Sequence, residues 1–262
     1  MPSSTLRYDL FGWDYESINP LTDAEVAWHL TWAQRTKGPV LALACGTGRL
    51  VCRLTREGHE VVGLDLSKAM LDLARRNVAK LPAKARKRVT LVRGDMSAFD
   101  LGRRFGLIFI ADNSFRELET RRKLLSALRC IRRHLAPGGR VLITERRLEP
   151  SVFSGGKRSF DWTPPVRHPD TGNLISRRGE ITLSRDRKRF TGRLVYNTIA
   201  SNGCETMQEF SVRAPALCKE DYAALFLRAG FAVCAYPGYR EEPDDGKDPL
   251  LCFALGRHET RM

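Results

Sequence analysis

Five short apolar runs, at 39–44, 60–65, 88–93, 105–111 and 140–145, alternate with amphipathic stretches at 47–57, 68–80 and 117–134. That alternation constrains the fold more than any other feature. Successive strand–helix–strand crossovers build a parallel sheet with helices on both faces. Ligands of such sheets sit at the carboxyl ends of the strands. The first run shows what that end offers. Residues 40–48, Val-Leu-Ala-Leu-Ala-Cys-Gly-Thr-Gly, pass from an apolar strand directly into a glycine turn. Seventeen residues after Gly48 the second run ends in Asp65. Glycines let backbone approach a ligand closely, and the helix that follows offers N-terminal amides to an anionic group. An acid at the next strand end suits ribose hydroxyls, so the outline is that of a nucleotide-type cofactor pocket.

Two cofactor classes fit this outline. The dinucleotide fingerprint needs a third glycine at position 51, where Val51 stands. Three further segments follow in order: Leu66-Ser67-Lys68-Ala69-Met70-Leu71 after Asp65, Arg93-Gly94-Asp95-Met96 after Val89–Val92, and Ala136-Pro137-Gly138-Gly139 before Val141-Leu142-Ile143. Together with the glycine turn they resemble class I S-adenosylmethionine-dependent methyltransferases. The resemblance implies an α/β fold: a Rossmann-like, seven-stranded methyltransferase sheet with helices on both faces, plus an inserted antiparallel β lobe. It implies S-adenosyl-L-methionine as cofactor, with contacts at Tyr8, Ala44, Gly46, Thr47, Gly48, Asp65, Leu66, Asp95 and Met96. The chain departs from the family pattern at three places. Ala42 stands where an acid is usual, Ala44 where glycine is usual, and Gly106 where an acid often opens the fourth strand.

Residues 151–215 interrupt the alternation. Gly155-Gly156, Pro164-Pro165 and Pro169-Asp170 mark loops, and strands are expected near 176–185, 189–200 and 204–214. A helix at 219–229 and strands near 231–237 and 250–256 then complete the sheet. Before it, Thr22-Asp23-Ala24-Glu25 is a capping box for a helix bearing Val26, Leu30 and Ala33, with Trp28 and Trp32 packing onto the sheet. The expected organisation is an N-terminal helical cap at 1–38, a core at 39–150 and 216–262, and an antiparallel insertion at 151–215 serving as an acceptor-site lid. The aromatic N-terminus, including Tyr8-Asp9-Leu10-Phe11 and Asp14-Tyr15, and the insertion resemble sugar N,N-dimethyltransferases and glycine/sarcosine-type enzymes.

Methyl transfer from a sulfonium is an in-line displacement, so the protein must align acceptor, methyl and sulfur and leave the acceptor lone pair free. It requires neither a nucleophilic side chain nor a metal. An amine acceptor sheds a proton, which gives an acid or a phenol a role. Glu145, Tyr15 and Asn113 are the residues expected at the chemistry; Phe115, Arg146, Trp162 and Tyr196 are expected around the acceptor, with Arg147 and Arg213 beside them. His59 and His134 read as surface residues at helix ends, and His168 is the histidine to test as a base. The histidines show no metal-ligand spacing, so no metal is expected.

A formal charge of +14 raises nucleic acid as a partner, but 34 of the 44 basic residues are arginines spread along the chain. A solvated surface and a small-molecule acceptor are the preferred reading. An RNA methyltransferase and a non-catalytic cofactor-binding protein are the alternatives. Seven cysteines without a C-x-x-C pair suit reduced thiols, and no run is apolar for about 18 residues. With no apolar stretch after Met1-Pro2-Ser3-Ser4-Thr5, a cytoplasmic protein, monomeric or homodimeric, is expected.

Overall fold

The computed structural model describes residues 16, 19–148, 156–161, 163–168 and 171–257. They group into two compact units: Leu21–Arg147 with Leu217–Met262, and Leu148–Ala216 with Met1–Pro20.

The first unit holds the alternation read from the sequence. Helix α1 (Asp23–Arg35) precedes β1 (Val40–Leu43), α2 (Arg49–Arg56), β2 (Val61–Asp65), α3 (Lys68–Ala79), the short α4 (Ala83–Arg86) and β3 (Val89–Arg93). Next come β4 (Phe105–Ile110), a 3-10 turn (Ser114–Leu118), α5 (Arg121–His134) and β5 (Leu135–Arg146). After the second unit, α6 (Lys219–Arg228) leads to β11 (Phe231–Pro237) and β12 (Leu250–Arg257). These strands form one seven-stranded sheet in the order β11-β12-β5-β4-β1-β2-β3. Strands β3, β2, β1, β4 and β5 pair in parallel, while β12 joins β5 and β11 antiparallel. The chain moves outward from β1 through β2 to β3, then returns to the other side of β1 as β4. That reversal opens the crevice where ligands of such sheets bind.

Strand β1 is buried along its whole length, and its side chains alternate between two cores. Leu41 and Leu43 join a cluster with Phe115, Tyr222, Phe226 and Phe253. Val40 and Ala42 join Trp28, Trp32, Leu54 and Phe109 under α1. The expected caps form: Thr22 Oγ1 accepts from the Glu25 N–H at 3.1 Å, and Ser67 Oγ accepts from the Met70 N–H at 3.1 Å. Gly106 has a physical reason as well. Its N–H donates to the Pro39 carbonyl at 2.9 Å, and any side chain there would run into the Lys37 carbonyl.

The second unit carries β6 (Lys157–Phe160), β7 (Val166–Arg167), β8 (Leu174–Leu183), β9 (Arg189–Ile199) and β10 (Glu205–Pro215) in an antiparallel sheet ordered β10-β9-β8-β6, with β7 also on β8. Phe190, Ala214 and Leu148 form its small core, and Tyr196 meets Phe210 edge to face at 5.6 Å.

Three local expectations are corrected. The helix expected from 117 begins at Arg121, because Glu119 is left-handed and Thr120 caps the helix by accepting from the Lys123 N–H. Strand β5 starts earlier than 140, at Leu135, so the Ala136–Gly139 segment belongs to the strand. His134 is buried, with Nδ1 donating to the Cys130 carbonyl and Nε2 accepting from the Leu101 N–H. All seven cysteines are free thiols. Among the described residues no helix is long and apolar enough to cross a membrane.

His29 couples this packing to pH. It is fully buried on α1, its Nδ1 donates to the Glu25 carbonyl at 2.8 Å, and its ring lies 4.8 Å from that of Phe109. Burial lowers its pKa from 6.5 to about 4. The unfolded chain therefore takes up this proton first as pH falls. The stability is present above about 6.5 and is lost toward 4, by about 1.4 kcal/mol per pH unit. Urea unfolding at pH 7 and pH 5 should show this loss in the wild type and a smaller one in His29→Phe. Equal losses in both proteins would assign the pH dependence to other groups.

Candidate active site

Of the residues expected at the donor, those from Ala44 to Met96 lie at or just past the carboxyl ends of β1, β2 and β3, three neighbouring strands. The turn after β1 is left-handed three times, with φ of 50° at Ala44, 56° at Gly46 and 76° at Gly48. Ala44 adopts this conformation at a cost on the order of 1 kcal/mol, which explains why a residue without a Cβ suits the position. A Cβ on Gly46 would meet nothing within 4 Å, so the turn presents bare backbone to open space.

Asp65 ties this turn to the second strand. Its Oδ2 accepts from the Gly46 N–H at 2.7 Å and its Oδ1 from the Ser67 N–H at 2.9 Å. A carboxylate has about four lone-pair sites, which lets one side chain serve several donors at once. The Thr47 hydroxyl between the glycines is buried and has no partner among the described residues. Burial and the adjacent Asp65 push the Cys45 thiol well up, which keeps it protonated and un-nucleophilic. Leu66, beside Asp65, is an exposed apolar side chain. Asp95, past the end of β3, holds a turn by accepting from both the N–H and the hydroxyl of Ser97 at 2.7 Å. Met96 is buried in the core cluster of Leu43 and Leu64.

The acceptor-side expectations fare differently. Glu145 is fully buried at the end of β5. Arg116 forms a buried ion pair with it, the Arg116 N–H donates to its Oε1 at 3.2 Å, and the Tyr222 hydroxyl donates to its Oε2 at 3.2 Å. Burial pushes its carboxyl up while Arg116 pulls it down. Glu145, expected at the proton transfer, is thus enclosed by these partners and has no exposed atom. Phe115, expected beside the acceptor, has its ring buried against Tyr222 and Phe226 at 6.5 and 6.0 Å. Arg147 is drawn into a buried pair with Asp244 at 2.6 Å, while the Arg146 side chain stays exposed. Asn113 is left-handed at the end of β4, and its Oδ1 accepts from the Arg146 N–H at 2.6 Å. Within the second unit Tyr196 is buried in its own sheet, Arg213 is exposed, and His168 is buried with Nδ1 accepting from the Thr171 N–H. Tyr8, Tyr15 and Trp162 lie outside the described residues.

Residues 40–139 match the family described as a methyltransferase domain. The dTDP-3-amino-3,4,6-trideoxy-alpha-D-glucopyranose N,N-dimethyltransferase of Streptomyces venezuelae is 32% identical over 195 residues, 74% of this chain and 75% of that one. The dTDP-4-amino-2,3,4,6-tetradeoxy-D-glucose N,N-dimethyltransferase of Saccharopolyspora spinosa is 31% identical over 199 residues, 76% of this chain and 73% of that one. Among solved structures, a SAM-bound amino pentose methyltransferase from Micromonospora echinaspora has a TM-score of 0.66 at 23% identity, covering 98% of both chains. The chain belongs to the S-adenosylmethionine-dependent methyltransferases.

The residues present fit this family's cofactor. The open face of Gly46, the orphaned Thr47 hydroxyl and the Asp65 carboxylate at the turn are the features a nucleoside with hydroxyl donors and an amino-acid end would engage.

Sequence reasoning overlooked two residues here. Glu25 was visible only as part of a capping box, yet it is buried, and its carboxyl is pushed up by burial and by Asp112 and drawn back by Arg49 and the Tyr239 hydroxyl. Arg116 hid in a polar loop; the only signal was an acid, Glu145, ending an apolar strand.

Replacing Asp65 by alanine should weaken S-adenosylhomocysteine binding by about 1–3 kcal/mol in calorimetry, through loss of charged hydrogen bonds. Unchanged affinity would reduce Asp65 to a brace for the turn.

Proposed function

We propose that this methyltransferase transfers a methyl group from S-adenosylmethionine to a nitrogen of a small molecule, with amino sugars as the acceptor class. The observation that carries the donor half is the Asp65 carboxylate joining the bare glycine turn to the end of β2. The acceptor half is supported by the two relatives above, both named as N,N-dimethyltransferases of amino sugars.

When bound, the donor supplies an electrophilic methyl on a sulfonium. In this reading Asp65 accepts from the ribose hydroxyls, the backbone at Gly46, Thr47 and Gly48 flanks the methionine portion, and Leu66, Asp95 and Met96 line the adenine side. Ala42 is fully buried among apolar side chains and brings no charge. Glu25, its carboxyl pushed up by burial and by the neighbouring Asp112, replaces the missing carboxylate toward the donor's amino group, with Arg49 beside it for its carboxylate. Around the acceptor, Asn113 contributes a fixed polar edge and Arg146 an exposed cation.

The chain then acts by placement. The acceptor amine attacks with its free lone pair, the new C–N bond forms as the C–S bond breaks, and the amine's surplus proton passes to solvent. Alignment of this kind supplies much of the acceleration, and no covalent enzyme intermediate is needed.

The test is mass spectrometry of dTDP-linked amino sugars incubated with the protein and isotopically labelled donor. Label on the sugar nitrogen is expected. Label on RNA instead, with acceptor affinity falling steeply as salt rises, would overturn the small-molecule reading.

A further inference from the structure

The turn after β4 is held in a conformation that its residues disfavour. Asp112 and Asn113 are consecutive non-glycine residues with φ of 52° and 64°. Each costs on the order of 1 kcal/mol, and such pairs persist only where the surroundings over-determine them. The surroundings here are the last residues of β5. The Asn113 N–H donates to the Thr144 carbonyl at 3.1 Å, and Asn113 Oδ1 accepts from the Arg146 N–H at 2.6 Å. Three residues further on, Arg116 engages Glu145 through both its N–H and its guanidinium, and its Nη2 donates to the Arg146 carbonyl at 2.5 Å. Tyr222, from α6, closes the arrangement by donating to Glu145 Oε2.

Stability alone does not account for this choice of residues. A buried ion pair repays its desolvation only partly, and apolar residues of similar volume serve a core as well or better. Tyr222, which donates to the pair, sits among the apolar rings of Phe115, Phe226 and Phe253. What the charged pair provides, and an apolar one cannot, is direction. Its hydrogen bonds reach the backbone on both sides, Arg116 N–H on the loop and Arg146 C=O on the strand. The turn so fixed lies at the carboxyl end of β4, the strand beside β1 and its glycine turn.

We propose that Glu145, Arg116 and Tyr222 form a positioning clamp that holds the left-handed Asp112–Asn113 turn against β5, and that this turn orients the methyl acceptor. The three are positioning residues. None delivers or receives the acceptor's proton, and Glu145 acts through Arg116 and the loop. The inference rests on the methyltransferase reading given above.

The test uses the full chain with Glu145→Gln, which keeps the shape and removes the charge. Hydrogen exchange should accelerate at the amides of residues 111–116 by about tenfold or more, and remain unchanged at residues 45–48. S-adenosylhomocysteine affinity should stay within about twofold while kcat on the dTDP-linked amino sugar falls about 10- to 100-fold through misplacement. The pH profile of kcat should keep its shape. Loss of its acidic limb would make Glu145 the proton acceptor and overturn the clamp. Unchanged exchange at 111–116, or a parallel fall in kcat and S-adenosylhomocysteine affinity, would also overturn it. If Glu145→Gln does not fold, Tyr222→Phe, which removes one hydroxyl and keeps the ring, is read by the same measurements with smaller shifts. A wild type that fails to bind S-adenosylhomocysteine defeats the methyltransferase reading instead, and the exchange measurement still judges the clamp.

Discussion

The site depends on one carboxylate at the end of an inner strand. Asp65 accepts from Gly46 on one side and Ser67 on the other, so a single side chain fixes the glycine turn, the end of β2 and the start of α3 together. Each backbone N–H it takes up would otherwise be an unsatisfied donor at a nearly buried position, where leaving one unpaired is costly. The parallel sheet makes this economical. Neighbouring strands end at one edge, so an acid closing β2 is necessarily close to a turn leaving β1.

Asp65 and Glu145 show how two acids in similar sequence settings diverge. Both end apolar strands of the same sheet, and both read as candidates for ligand contact. Asp65 accepts from the backbone N–H groups of Gly46 and Ser67 at the edge of the glycine turn. Glu145 meets a guanidinium and a phenol, and the interior consumes it. The difference lies in what faces each acid, and those partners are 29 and 77 residues away from Glu145 in sequence. Local sequence carries no record of such distances.

Elements governed by short-range physics were legible. The Thr22 and Ser67 caps, the apolar strands and the β–α alternation all follow from periodicity and from side chains within four residues. The family assignment rested on the same local motifs. Features set by non-local contact were harder. The start of α5 moved to Arg121 because the preceding loop is pulled into left-handed turns against β5. His134 looked solvent-facing and Arg147 acceptor-facing in sequence, yet each is held inside by a distant partner: the Leu101 N–H for one, Asp244 for the other. Strands β6 and β7 are too short and polar to announce themselves, and they exist only as additions to β8.

By itself, then, the sequence determined the donor. The glycine turn, Asp65 and the segments around Asp95 and Pro137 are chemistry written in residue types at fixed spacing, because backbone geometry beside a strand end is local. The tertiary structure decided which polar residues remain available for chemistry. It buried Glu25, on α1, beside Asp112 and Arg49, and it withdrew Glu145, Phe115 and Arg147 into the interior. Burial and partnership are properties of packing between distant segments, so only the folded chain could distinguish a group that awaits a ligand from one already satisfied.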